Sequence, residues 1–85
     1  MIQPGTIVKA KAGRDSGRFF AVLSVEDGYA YIADGKTRRI ERPKKKKLIH
    51  LAATAVQLGA EERQTDRSLR KSLAQLNGDA GKETL

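Results

Sequence analysis

The sequence predicts a mainly β fold, a small five-stranded β-barrel followed by a C-terminal α-helix. Three observations carry that expectation. Short stretches of alternating apolar and polar residues fill roughly the first fifty positions, two Asp-Gly pairs punctuate them, and leucines recur at helical spacing near the end. With 85 residues the chain fits one domain. A chain of this size buries only about 60% of the surface it exposes when unfolded, so the core must be single.

The elements follow in order. After the Pro4-Gly5 turn signal, residues 7–10 alternate as a first strand should, and residues 11–17 form a loop. Phe19 to Val25 is the longest apolar stretch, within a strand expected over about 18–26, with Phe19, Ala21, Leu23 and Val25 on one face and Phe20 and Val22 on the other. That pattern predicts a central strand buried in part on both sides. Asp27-Gly28 and Asp34-Gly35 each suit a two-residue type I′ hairpin, whose two central residues need positive φ. They bracket a strand at 29–33 and predict a further one at 36–41, which Pro43 ends. A short last strand is expected at 48–52.

Five short strands in about fifty residues leave two costly edges when the sheet is open, and curling into a barrel removes them. The expected core is Val8, Ala10, Phe19, Ala21, Leu23, Val25, Ala30, Ile32, Ile40, Ile49 and Leu51. Tyr29 and Tyr31 fall on the other face of their strand, where packing against another part of the chain is the expected role. The barrel occupies 1–54 and a linker and helix 55–78, while 79–85 read as a disordered tail. Thr65 or Asp66 caps the helix, Leu69, Leu73 and Leu76 form its packing face, and Asn77-Gly78 stops it. That face has three possible occupants: the barrel, a partner protein or a second copy.

The composition excludes several classes of function. There is no Cys, which removes disulfide frameworks, thiolate metal sites and cysteine nucleophiles. His50 is the one histidine and the acids are scattered, so the chain reads as a non-enzyme with no cofactor and no metal site. Met1 to Gly5 begin neither a secretory signal nor a membrane span, and the expectation is a cytoplasmic protein without a membrane partner. Charge is more directive. Residues 1–51 hold 12 Lys and Arg against 5 acids, whereas 52–85 hold 5 of each, so the whole excess of +7 lies in the first part. With a pI near 10.1 and the bases clustered, that asymmetry points to a polyanion, and among polyanions to nucleic acid.

The segment from Gly5 to Gly35, a strand, a glycine-bearing loop and a second alternating strand, resembles a KOW motif. The likeness extends through Gly13-Arg14-Asp15-Ser16-Gly17, Ala33-Asp34-Gly35, Arg38-Arg39-Ile40 with Arg42, and His50-Leu51 with Thr54. Over about residues 4–54 the chain is similar to KOW proteins of the archaeal and eukaryotic large ribosomal subunit and their short bacterial relatives. Lys47 departs from that pattern, which has an asparagine there. The resemblance implies an SH3-like barrel and binding of RNA, with ribosomal RNA as the expected partner.

Each basic element has its own chemistry. Gly13 and Gly17 allow backbone geometry closed to other residues, and Arg14 and Arg18 suit bidentate contact with phosphate oxygens. Lys11 opens that loop. No Gly-Lys-Ser/Thr ending follows, so it is not a nucleotide-binding P-loop. Arg42 with Lys44, Lys45, Lys46 and Lys47 is the strongest local signal, because adjacent ammonium groups are best tolerated beside a polyanion. Lys36, Arg38 and Arg39 on the preceding segment extend it, and His50 is expected to bond backbone or RNA phosphate. Four aromatics are too few for a methyl-reading cage, and no motif for stacking single-stranded bases is present. The alternative is a protein-interaction adaptor whose partners are ribosomal or transcription-machinery proteins.

Overall fold

A computed structural model of the chain describes residues 1–78; the tail expected at 79–85 lies outside the described residues. Five strands, β1 (Thr6–Ala10), β2 (Phe19–Glu26), β3 (Tyr29–Ala33), β4 (Lys44–Lys47) and β5 (Leu51–Gln57), form one antiparallel sheet in the order β4-β3-β2-β1-β5. A single 3-10 turn, Leu48–His50, joins β4 to β5 at the opposite edge. One helix, α1 (Asp66–Leu73), follows. No helix among the described residues is long and apolar enough to cross a membrane.

The sheet is covered on both faces. Val8, Ala10, Phe20, Val22, Ala30, Ile32 and Leu51 make a buried inner cluster, with Ile2 and Leu48 packed against it. Ile7, Ala21 and Ala33 point the other way and meet Leu58 and the α1 residues Leu69 and Leu73 in an outer cluster edged by Phe19, Leu23 and Ile40. The central strand β2 is thus buried on both sides, as its unbroken apolar run predicts. Phe20 and Val22, on the face opposite to the expected core residues of β2, fill the inner cluster.

The β2–β3 hairpin follows its turn signal. Asp27 and Gly28 both take positive φ, 47° and 81°. The strand then departs from simple alternation, because the register passes from Val22↔Ile32 to Ser24↔Tyr31 and leaves Leu23 as an extra residue. The bulge carries Val25 onto the face of its partner Ala30, near the strand end, where it is 38% exposed rather than in the core.

The expected strand at 36–41 does not form. Asp34 is buried, and its Oδ1 accepts the backbone N–H groups of Lys36, Thr37 and Arg38, which winds the chain into a loop instead of a two-residue hairpin. Pro43 ends no strand: β4 starts immediately after it and is made of the lysine run. The last strand runs later and longer than 48–52, so the boundary drawn at residue 54 falls inside β5. In the 3-10 turn, Ile49 is 73% exposed instead of buried, since the two-residue period of a strand does not apply there.

Helix α1 docks on the outer face. Thr65 is its N-cap: its Oγ1 accepts from Ser68 N at 3.1 Å, and the Ser68 hydroxyl accepts from Thr65 N. Burying Leu69 and Leu73 stabilises the docked state by about 1.5–3 kcal/mol each before ordering entropy. Two polar contacts and one close backbone approach fix the docking. Asp66 Oδ1 accepts Ile40 N at 2.8 Å. Gly35, at φ 80°, lets the helix backbone approach so closely that a methyl there would collide with the Asp66 carbonyl oxygen and sit 2.9 Å from Arg70 N. Past the helix, Asn77 accepts from Phe19 N at 2.7 Å and donates to Phe19 O at 3.1 Å. Leu76 does not join the packing face and is 44% exposed.

Candidate nucleic-acid interface

Strand geometry sorts the lysine run into two sets. Successive side chains of a strand point to opposite faces, and cross-strand partners share a face. Lys44 and Lys46 pair with Ile32 and Ala30 of the inner cluster, whereas Lys45 and Lys47 pair with Tyr31 and Tyr29 on the outer face. Lys46 is accordingly buried, its stem covering apolar surface and its Nζ donating to Ala12 O at 2.7 Å. Lys44 is half-buried. Lys45 and Lys47 are exposed, with Lys45 Nζ 4.6 Å from the centre of the Tyr29 ring. The run is an edge strand rather than a solvated loop, and half of it faces the inner side.

The arginines divide in a comparable way. Arg18 Nε donates to buried Asp34 Oδ2, and Arg38 Nη2 donates to Asp15 Oδ2 at 3.0 Å. These pairs tie the glycine loop to the loop after β3. The Arg38 Nε is buried without a hydrogen bond among the described residues. Both arginines therefore hold loops together, and phosphate contact through those donor atoms would compete with an internal carboxylate. Burial by itself would push the Asp34 carboxyl up. Hydrogen bonds from Arg38 N, the Arg18 side chain, Lys36 N and the Thr37 hydroxyl outweigh that and hold it below the usual carboxylate value. Asp34 is the organising residue of this region, and in the sequence only its place in an Asp-Gly pair hints at it.

The remaining site residues are on the surface. Lys11, Arg14, Lys36, Arg39 and Arg42 are exposed, and His50 is half-buried. Gly13 and Gly17 hold φ of 81° and 89°, the conformation for which glycine suits the loop. A further exposed lysine, Lys9 in β1, lies with its Nζ 5.6 Å from the Phe19 ring. Sequence reasoning passed over it because it looks like an ordinary polar position in an alternating strand.

Tyr29 and Tyr31 are half-buried beside Lys47 and Lys45 on the outer face. The arrangement can neutralise several phosphates held at separate points. Two half-exposed rings flanked by ammonium groups add a flat apolar element to it. No protein-family model and no curated protein matches the sequence.

Proposed function

We infer that the chain is a KOW-type RNA-binding module, built on an SH3-like barrel, and that it acts by binding and not by catalysis. The observation that carries this reading is the set of outward cations Lys45, Lys47, Lys36, Arg39 and Arg42, exposed around one edge strand and the loop leading into it. The barrel reading is supported by the joint between β4 and β5. These strands lie at opposite edges of the sheet, yet one three-residue 3-10 turn connects them. A flat five-stranded sheet is about 19 Å across. Three residues of 3-10 helix advance only about 6 Å, so a strongly curled sheet fits this connection best.

The partner that suits this chemistry is structured RNA, with ribosomal RNA as the favoured class and the cytoplasm as the favoured compartment. The glycine loop, whose Gly13 and Gly17 take positive φ, adds the exposed side chains of Lys11 and Arg14. Recognition rests on charge and shape, because the cations are spread over several elements and no row of rings is available for reading successive bases. The test is affinity for a structured RNA as a function of salt. About five neutralised phosphates give a slope of log affinity against log salt of roughly −3.5 to −4.5. A slope near zero sinks the electrostatic reading and turns attention to a protein partner.

A further inference from the structure

We propose that helix α1 belongs to the phosphate-binding surface, so that structured RNA lies across the helix and the outer face of the sheet together. The inference rests on the RNA reading above and extends it to a segment whose charges cancel when merely counted. Residues 52–85 carry equal numbers of bases and acids. Around α1, two of those acids are tied up by backbone groups. Asp66 directs its carboxylate to Ile40 N, and Glu62 accepts from Gly59 N at 2.7 Å, so both acids are engaged around the entry to the helix. Arg67, Arg70 and Lys71, at i, i+3 and i+4, are all exposed on one helical face, bordered at Arg70 by Asp66, whose Oδ1 is taken up by Ile40 N.

Two contacts set that face beside the cations of the first half. Gly35 packs against the backbone of Asp66 and Arg70, and Ile40 N binds Asp66, so the loop bearing exposed Lys36, Arg39 and Arg42 runs along the Asp66–Arg70 side of the helix. The sheet face under the helix is also the one that carries Lys45 and Lys47, by their pairing with Tyr31 and Tyr29. Cations that are far apart in sequence thus converge on one side of the molecule. Such a surface fits a ligand whose negative charges are spread in two dimensions, as on the paired backbones of an RNA duplex, better than a single extended strand.

The experiment titrates the full chain with a short RNA duplex over a range of salt. It compares the R67Q/R70Q/K71Q variant with the charge-conserving R67K/R70K/K71R variant. All the helix positions substituted are exposed and the replacements are good helix formers, and thermal unfolding of each variant verifies the fold. If two of the three helix cations meet phosphates, the neutral triple variant has a slope shallower by roughly 1.4 to 1.8, which is on the order of 25- to 60-fold weaker binding at about 0.1 M salt relative to 1 M. The charge-conserving triple keeps the original slope. A neutral triple variant that retains the full slope of the unaltered chain overturns the proposal and confines the interface to the loops and β4. An unaltered chain that binds no RNA overturns the RNA reading itself, and this inference with it.

Discussion

The two faces of the sheet are closed by different means. The inner face is sealed largely by the sheet itself, with Phe20, Val22, Ile32 and Leu51 meeting one another and Leu48 and Ile2 filling the ends. The outer face exposes Ile7, Ala21 and Ala33, small or narrow side chains that leave room for a helix, and α1 supplies Leu69 and Leu73 to cover them. The inner cluster therefore depends on strand pairing, whereas the outer one depends on a segment tied down by a few polar contacts. That difference assigns helix α1 its structural work: without it a sheet buried on both sides would have one apolar face in water.

The largest effect should come from the inner face. Phe20 is fully buried there, and Phe20→Ala should destabilise the chain by about 3–5 kcal/mol, read from the denaturant midpoint. A cost below about 1 kcal/mol would mean that the inner cluster is not the principal core. A smaller effect is expected at the hinge between sheet and helix. Gly35→Ala places a methyl against the Asp66 carbonyl at positive φ, and the conformation alone costs about 1–2 kcal/mol. The added collision should displace the helix, so NMR shifts should change at Leu69 and Leu73 more than at Val8 or Ile32. Equal changes on both faces would erase the distinction.

The mildest effect concerns acid. The Asp34 carboxyl is held below its usual value, so the ionised form is favoured in the folded chain. The stability it contributes is fully present above the unfolded carboxylate value of about 3.9, and is lost as pH falls from there through the depressed native value. Unfolding midpoints measured from pH 6 downward should decline more steeply in the unaltered chain than in Asp34→Asn. Parallel declines would show that Asp34 is not what couples the two loops to the sheet.

Much of this architecture is legible in the residues, and the exceptions have physical causes. Asp27-Gly28 announces its hairpin because few sequences tolerate two positive φ values in succession. Leu69 and Leu73 announce a packing face by their spacing. By contrast, β4 has no apolar alternation to read: its inner positions are lysines whose stems serve as the apolar part. Residues 36–41 look more like a strand than β4 does, yet the Asp34 side chain captures their N–H groups first. The bulge at Leu23 is equally hidden, because an extra residue inside an unbroken apolar run disturbs no visible pattern. At the candidate site, composition identifies the cations but not their neighbours. It cannot tell Arg39, which is exposed, from Arg38, which is paired with Asp15, and it cannot separate the cations of α1 from the acids engaged around the entry to that helix.

The Asn77 clasp has a kinetic consequence. Phe19 turns its N–H and C=O toward the side where β3 has run out, and the Asn77 carboxamide stands in for the missing strand. When the helix lifts, that one amide loses its acceptor while its neighbours in β2 keep theirs. In deuterated solvent the Phe19 amide should therefore exchange on the clock of helix release, whereas the Val8 and Phe20 amides wait for the whole sheet to open. The molecule thus carries, in a single proton, a native gauge of how often its two halves part.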